Sequence, residues 1–228
     1  MSTMRFDISL GGTREVVVDH AFNAGFTGRD TAQVQEHVDE LARLGVPTPK
    51  QVPTLYPLSS YLLTQTATIQ VPHARTSGEA EWAVIVGDDE SDLLLTVACD
   101  HTDRDLEVHG VAWSKQSAPN VLGDLAWPLA QIDGELDAFS LRAWVSHNGS
   151  ETLIQDGALG QLLPPAYWLD RLAEHSLLRP RSALLGGTIP MLEGTDQFGD
   201  AWRVEIADPQ GRVSRVAYRV QALPPAWS

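Results

Sequence analysis

Three acidic residues lie where two predicted strands can bring them together. Glu79 and Glu81 begin residues 79–87, whose β-branched and aromatic residues between turn formers predict a strand. Side chains alternate between the faces of a strand, so Glu79 and Glu81 point the same way, and Asp100 ends a second predicted strand at 92–100. Neighbouring carboxylates ionise together only if they share a proton or a cation, and an all-oxygen set favours Mg²⁺, Ca²⁺ or Mn²⁺ over Zn²⁺. The alternative is a solvated strand edge.

A histidine and a glutamate follow each other at helical spacing. Asp30 can cap this helix, with Gln33 as its capping-box partner, and Gly45 is expected to end it. His37 and Glu40 are three residues apart and therefore neighbours on one helix face. A histidine oriented by a carboxylate is a stronger base that could activate water. The alternative is an ordinary exposed pair.

Further along the chain, a few residues could contact a substrate. Lys115 could hold a carboxylate or offset a developing negative charge, or it could be a solvated lysine. Arg104 stands between Asp103 and Asp105, which favours a structural ion pair. The run Gly186-Gly187-Thr188 fits a close approach of backbone to a ligand with a hydroxyl pointing inward, or a plain loop.

The composition excludes some classes of partner. A net charge of −14 argues against nucleic acid and anionic membranes, which require a basic patch. The longest apolar stretch, residues 93–99, is far shorter than the ~20 residues of a membrane-spanning helix. The single cysteine, Cys99, is expected to be a buried strand residue, and His101 is expected to point away from the face of Asp100. A cytoplasmic protein is expected.

The predicted elements are mainly strands. A hairpin is predicted over residues 5–18 around Gly11-Gly12, followed by the helix and by an extended proline-rich connector that ends at Tyr56-Pro57. Further strands are predicted at 68–71, 79–87, 92–100, around 136–147, at 202–207 and at 213–220, with a short helix at 165–175. This pattern favours an α+β fold with a large β component over a βαβ fold.

Taken in order, the chemistry-bearing residues resemble the fumarylacetoacetate hydrolase superfamily. The matching segments are His37-Val-Asp-Glu40, the prolines at 47–57, Gly78-Glu-Ala-Glu81, Asp100-His-Thr-Asp-Arg104-Asp105, Lys115 and Gly187-Thr-Ile189. The sequence around Gly28-Arg-Asp30 and Ser114-Lys-Gln116 resembles that of a divergent prokaryotic branch of the superfamily.

The resemblance implies a fold and a domain division. The fold would be α+β and mainly β, a mixed β roll with a small N-terminal hairpin and helix part. Residues 1–57 would form the hairpin, a lid helix and the connector, and residues 58–228 the metal-binding catalytic core. Such proteins are commonly dimers, so a homodimer is expected.

The resemblance also implies roles for individual residues. The metal ligands would be Glu79, Glu81 and Asp100, holding Mg²⁺ or alternatively Mn²⁺ or Ca²⁺. The water-activating dyad would be His37 and Glu40. Substrate would be contacted by Lys115, Arg104, Glu107 and Thr188. One departure is Glu107, which stands where many relatives carry a glutamine that contacts substrate, and this bears on substrate identity more than on metal binding.

The expected activity is that of a metal-dependent hydrolase that cleaves a C–C bond in a small oxo acid or dicarbonyl compound, such as an acylpyruvate. Alternatives on the same metal site are decarboxylation of a 2-oxo acid and dehydration or isomerisation of a sugar acid. A non-catalytic small-molecule binding protein is a further alternative, which would not need the base His37. The expected partner is a small carboxylate substrate, with neither nucleic acid nor membrane involved.

Overall fold

Two β-sheets make up most of the structure, a computed structural model that describes residues 1–43, 49 and 51–225, with the side chains of residues 37 and 41 excepted. The strands are β1 (Ser2–Ile8), β2 (Thr13–Val18), β3 (His20–Gly25), β4 (Thr54–Leu58), β5 (Leu63–Thr64), β6 (Thr68–Val71), β7 (Thr76–Val86), β8 (Leu93–Asp103), β9 (Asn120–Leu122), β10 (Leu125–Pro128), β11 (Ser140–His147), β12 (Ser150–Ala158), β13 (Ser182–Thr188), β14 (Ala201–Ala207) and β15 (Val213–Ala222). The α-helices are α1 (Thr31–Arg43), α2 (Arg104–Glu107), α3 (Val111–Ser114) and α4 (Pro165–Glu174).

The larger sheet is mixed. Its ten strands run in the order β2-β1-β10-β8-β7-β13-β3-β4, with β9 pairing both β8 and β5. The pairs β1–β10, β13–β3 and β5–β9 are parallel, and the other pairs are antiparallel. The second sheet has five strands in the order β12-β11-β14-β15-β6. The predicted α+β, mainly β fold with a mixed β roll is confirmed.

The central strands are buried on both faces, which explains their nearly continuous apolar sequences. Along β7, Trp82 and Val84 belong to the core between the two sheets, whereas Ala83 and Ile85 belong to a second core on the opposite face. That second core also contains Phe6 from β1, so the large sheet curls around it. Because side chains alternate along a strand, each residue of β7 and β8 serves one of these two environments.

The N-terminal residues are part of the large sheet. The predicted hairpin is confirmed as the antiparallel pair β1–β2, and β1 also pairs with β10. Strand β3 pairs with β13, and β4 pairs with β3. The last part of the predicted connector is therefore an edge strand, where Pro57 is tolerated because its missing N–H faces no partner strand. The division into parts at residue 57 stays a prediction.

The helices are few. Asp30 caps α1 as predicted, since its Oδ1 accepts hydrogen bonds from the backbone N–H groups of Ala32 and Gln33 at 3.0 and 3.2 Å. The predicted end of this helix at Gly45 lies outside the described residues, which show α1 as far as Arg43. The predicted helix at 165–175 is confirmed as α4. No helix within the described ranges is long and apolar enough to cross a bilayer.

Candidate metal centre

The antiparallel pairing of β7 and β8 brings the three predicted acids together. Glu79 lies directly opposite Asp100, and Glu81 opposite Ala98. One carboxylate oxygen from each of Glu79, Glu81 and Asp100 lies within 4.8 Å of the other two, and we call these three residues the acidic cluster. Glu81 and Asp100 are buried, and the side chain of Glu79 is 16% exposed. The solvated strand edge is therefore not what the structure contains.

Two basic side chains face the acidic cluster from the segment after β8. The Nζ of Lys115 contacts Asp100 Oδ2 and lies 3.2 Å from Glu79 Oε2. Arg104 donates to Glu79 Oε1 at 2.8 Å and to Glu107 Oε2 at 3.1 Å. Both cations are nearly buried. Burial alone would lower the pKa of Lys115, but the charges of Asp100 and Glu79 outweigh it and raise that pKa.

The carboxylates of the cluster are not equally compensated. Burial would raise the pKa of Glu79, but the charges of Lys115 and Arg104 lower it to about 2. For Glu81, burial and the neighbouring charge of Asp100 raise the pKa well above its ordinary value. Burial is also the largest cause of the raised pKa of Asp100. The two basic residues thus stabilise the ionised form of Glu79, but they do not offset the burial of Glu81 and Asp100.

These residues fit a hard divalent cation. All the candidate ligand atoms are carboxylate oxygens, the donor type that Mg²⁺, Mn²⁺ and Ca²⁺ prefer. Asp100 Oδ1 is buried and has no hydrogen-bond partner in the part of the chain that the structure describes. A buried acceptor of this kind is costly unless a cation or a donor reaches it.

Sequence reasoning missed Asn23, which lies between two of the acids. Its Nδ2 donates to both carboxylate oxygens of Glu81 at 3.3 Å and to Asp100 Oδ2 at 3.2 Å. Asn23 is fully buried on β3, whose remaining residues are mostly small or apolar. The only sequence signal was a single amide within a mostly apolar strand, and its proximity to the acids depends on the non-local pairing of β3 with β13.

Tyr56 is a second residue that the sequence did not single out. It lies on β4 directly opposite Asn23. Burial raises the pKa of the Tyr56 phenol, and the charges of Lys115, Glu107 and Glu79 act on it as well. The phenol is therefore within electrostatic reach of the site, at its β4 side.

Two glycines of β13 allow the backbone to approach the site closely. A Cβ at Gly186 would lie 1.9 Å from the ring of Trp82, and one at Gly187 would lie 2.1 Å from the hydroxyl of Thr27. Gly187 also has φ of +83°, and its N–H donates to Glu81 Oε2 at 2.9 Å. The close approach expected for this segment is thus to protein groups and to a carboxylate of the acidic cluster.

Thr188 lies beside the cluster, in register with Glu81. Its hydroxyl accepts a hydrogen bond from Gln155 Nε2 at 2.8 Å. Gln155 also donates to the carbonyl of Ile189 at 2.6 Å and accepts from the N–H of Ala80 at 2.9 Å. This amide holds the end of β13 against β7, and the substrate contact of Thr188 stays a prediction.

The proposed dyad lies on α1, but the side chain of His37 is outside the described part of the structure. Glu40 is on the same helix and is exposed. The start of this helix is attached to the core by Arg29, which donates to the carbonyl of Leu162 at 2.6 Å and to Asp137 at 2.7 Å. The role of His37 and Glu40 stays a prediction.

A buried hydrogen-bond network lies on the opposite face of β8. His101 Nδ1 is 2.8 Å from the hydroxyl of Tyr218, and Nε2 is 2.9 Å from that of Thr76. The Tyr218 hydroxyl donates to Cys99 Sγ at 3.1 Å. Both sequence expectations hold here: His101 points away from the face of Asp100, and Cys99 is buried. Burial raises the pKa of the Cys99 thiol, which disfavours a nucleophile.

Comparison with known proteins agrees with this architecture. Residues 24–218 match a family model described as protein of unknown function (DUF2848). No curated protein sequence matches the chain.

Solved structures of low sequence identity share the fold. The structure of Cg1458 superimposes with a TM-score of 0.64 at 18% identity, covering 92% of this chain and 80% of that one. For the 5-carboxymethyl-2-hydroxymuconate delta-isomerase from Mycobacterium smegmatis the TM-score is 0.62 at 18% identity, covering 93% and 84%. For 2-keto-3-deoxy-D-arabinonate dehydratase complexed with magnesium and 2,5-dioxopentanoate it is 0.66 at 13% identity, covering 93% and 77%. The fold that the resemblance to the fumarylacetoacetate hydrolase superfamily implied is therefore the fold observed.

Proposed function

We propose that this chain, which belongs to the family described as protein of unknown function (DUF2848), is a metal-dependent enzyme acting on a small anionic oxo acid. The observation that carries the proposal is the buried acidic cluster, whose oxygens lie within 4.8 Å of one another. The similarity in fold between this chain and a dehydratase complexed with magnesium supports Mg²⁺ as the cation, with Mn²⁺ and Ca²⁺ as alternatives.

The side chains around the cluster suit an anionic substrate. When bound, the cation supplies Lewis-acid polarisation of a substrate oxygen. Lys115 and Arg104 each carry a positive charge at the cluster, and a substrate carboxylate can take hydrogen bonds from them in place of Glu79. Glu107, which pairs with Arg104, limits how much of that positive charge is open to substrate.

For the reaction we propose hydrolysis of a C–C bond in an acylpyruvate-like compound. His37, oriented by Glu40, would take a proton from the attacking water. Dehydration or isomerisation of a sugar acid has equal support, because the chain shares its fold with a dehydratase and an isomerase. Decarboxylation of a 2-oxo acid is a further alternative. A binding protein without catalysis would bind the acid but not convert it. A homodimer and a cytoplasmic location stay predictions.

One assay series tests both parts of the proposal. Chelator-treated protein is titrated with Mg²⁺ by calorimetry and then assayed on an acylpyruvate, oxaloacetate and a 2-oxo-3-deoxy sugar acid. We expect saturable Mg²⁺ binding that is lost in the double variant Glu79→Ala, Glu81→Ala. Unchanged Mg²⁺ binding in that variant would refute the metal site.

The same assays distinguish hydrolysis from the alternative reactions by replacing the proposed base, His37. If hydrolysis is the activity, His37→Ala should lower turnover of the acylpyruvate by about 10²–10⁴-fold with Mg²⁺ affinity unchanged. His175→Ala, an exposed histidine after α4, is the matched control and should be fully active. Turnover of the sugar acid alone would assign the dehydratase reaction, and binding of all three acids without turnover would assign the non-catalytic alternative.

A further inference from the structure

Most hydrogen bonds of the acidic cluster lie on its β7 and β3 side, although Asn23 Oδ1 on that side has no partner among the described residues. On the β7 and β3 side, Glu81 accepts from Asn23 and Gly187, and Glu79 accepts from Arg104 and Lys115. On the β8 and β9 side, within the described residues, several buried polar atoms have no hydrogen-bond partner: Asp100 Oδ1, Thr102 Oγ1, Asn120 Oδ1 and Asn120 Nδ2.

Strand register places the residues that carry these unpartnered atoms on one face of neighbouring strands. Asn120 on β9 lies directly opposite Asp100 on β8. Thr102 lies two residues beyond Asp100, and so on the same face of that strand. Asp100, Thr102 and Asn120 are all fully buried, with relative exposures of 0%. Directly opposite side chains in such a pair have Cβ atoms about 4.5–5.5 Å apart, which leaves their polar ends within reach of a single small group.

An amide with neither of its polar atoms partnered needs an explanation. Buried polar groups are nearly always hydrogen-bonded, because the bond to water is otherwise lost without replacement. Gln155, the comparable buried amide of β12, uses both its oxygen and its nitrogen within the protein. Because Asn120 lies directly opposite Asp100, its side chain is on the same face of the sheet as the acidic cluster.

We propose that Asn120 and Thr102 form a hydroxyl-binding subsite beside the acidic cluster, and that the substrate is an oxo acid bearing a hydroxyl group close to its oxo group. This inference rests on the proposed binding of an anionic oxo acid and is the same for hydrolysis, dehydration or decarboxylation. It concerns what is bound rather than which bond is broken.

Hydrogen-bond complementarity selects the hydroxyl. The carboxylate and oxo group of an oxo acid only accept hydrogen bonds, and Lys115 and Arg104 are the donors that match them. Asn120 Oδ1 needs a donor, Nδ2 needs an acceptor, and the hydroxyl of Thr102 can serve as either. A substrate hydroxyl supplies both roles in one group. A water molecule held at the cation is the other source of the same chemistry, and the experiment distinguishes the two.

The test compares two acids that differ only in a hydroxyl. Pyruvate and 3-hydroxypyruvate are titrated separately into Mg²⁺-loaded protein by calorimetry. We expect wild type to bind 3-hydroxypyruvate about tenfold or more tightly than pyruvate, the effect of one or two hydrogen bonds. In Asn120→Leu this preference should disappear while the affinities for pyruvate and Mg²⁺ stay unchanged. Thr102→Val, which is nearly isosteric, should reduce the preference in part.

Other outcomes overturn the inference. Equal affinities of wild type for the two acids would remove the hydroxyl subsite and leave the proposed function intact. If Asn120→Leu lost affinity for both acids equally, or bound Mg²⁺ more weakly, the amide would instead bind a water molecule held at the cation. Failure of both acids to bind the loaded wild type would overturn the proposed function, and the subsite with it.

A second readout needs no ligand. Because the side-chain amide of Asn120 has no hydrogen-bond partner among the described residues, Asn120→Leu should raise the melting temperature of the metal-free protein by about 2–4 °C. Gln155→Leu, which removes an amide with three hydrogen bonds, should lower it. A lower melting temperature for Asn120→Leu would mean that Asn120 is a structural residue and would contradict the subsite.

Discussion

His101 is a single buried side chain on the face of β8 opposite the acidic cluster. It is completely buried between the two sheets and bonded to Tyr218 and Thr76. The Tyr218 hydroxyl donates to Cys99, so it accepts from His101 Nδ1, and Nε2 then accepts from the Thr76 hydroxyl. This arrangement is satisfied only by the neutral ring. Burial, together with the charge of Arg104, lowers the pKa of His101 to about 3.

The first prediction concerns the stability of the protein in acid. His101 has a folded pKa of about 3 and an ordinary value of 6.5, so the unfolded chain binds the extra proton between these values and stability falls as the pH falls. From pH 7 to pH 5 this residue alone should remove about 2 kcal/mol of unfolding free energy. Denaturant unfolding at the two pH values measures this. The variant His101→Gln should lose less stability over that interval than wild type, and an equal loss in both proteins would contradict the assignment.

At the level of residues, the sequence predicts what depends on local geometry. Alternation along a strand is enough to put Glu79 and Glu81 on one face and to turn His101 away from it. Asn23, Tyr56 and Asn120 could not be predicted, because their proximity to the cluster arises from pairings between strands that are distant in sequence. Their residue types carry no signal for such pairings.

Strand β13 is irregular where it passes the acidic cluster. Its register with β7 shifts between Leu185 and Thr188, and Gly187 lies within that irregularity. Gly187 combines a positive φ with a backbone hydrogen bond to Glu81, while Gly186 lies against Trp82. The irregular end of β13 therefore serves both the packing of the core and the position of a cluster carboxylate.

The second prediction tests this element with a pair of glycines. Gly187→Ala and Gly211→Ala both place alanine at nearly the same φ, +83° and +84°. At Gly211 nothing lies within 4 Å of the new Cβ, whereas at Gly187 the hydroxyl of Thr27 would be 2.1 Å away. We expect Gly211→Ala to cost about 1–2 kcal/mol of stability and Gly187→Ala at least about 3 kcal/mol. Chemical denaturation gives both values, and equal costs would show that Thr27 yields without penalty.

At the level of elements, the prediction from sequence succeeded where hydrophobic alternation and turn residues coincide. The hairpin β1–β2, the strands β7 and β8, and the turn Asn148-Gly149 between β11 and β12 follow that rule. Strand β4 was interpreted as the end of a connector, because Pro57 within it and Pro53 before it are not typical of a strand. The short helices α2 and α3, which carry Arg104 and precede Lys115, are too brief to show a helical period.

Considered as a whole, the molecule places its charged site on the face of the large sheet that also contributes to the second core. In the acidic cluster, Glu81 lies directly opposite Ala98, which belongs to the second core. Charge repulsion and desolvation in the cluster oppose folding, which explains why the pKa values of Glu81 and Asp100 are raised. Any cation that binds only the folded state relieves this opposition.

The third prediction follows from that linkage. Mg²⁺ at about 100 times its dissociation constant should add about 2.7 kcal/mol of stability, which raises the melting temperature by about 5–10 °C in a chain of this size. Differential scanning calorimetry with and without the cation measures the shift. Glu81→Gln keeps the shape of the side chain but removes its charge, so this variant should be at least as stable without Mg²⁺ and should show a much smaller shift. A full shift in Glu81→Gln would exclude Glu81 as a ligand.

Strand β8 also has a consequence for how this kind of protein diversifies. Asp100 and Thr102 face the site, while Cys99 and His101, at the alternate positions, face the other sheet. Substitutions at positions that face the site can therefore change which substrate is bound, without changing the residues that pack against the other sheet. Such a separation allows related proteins to keep one fold while their chemistry changes, and an engineer can randomise residues 102 and 120 as one library while the acidic cluster and the opposite face of β8 stay unchanged.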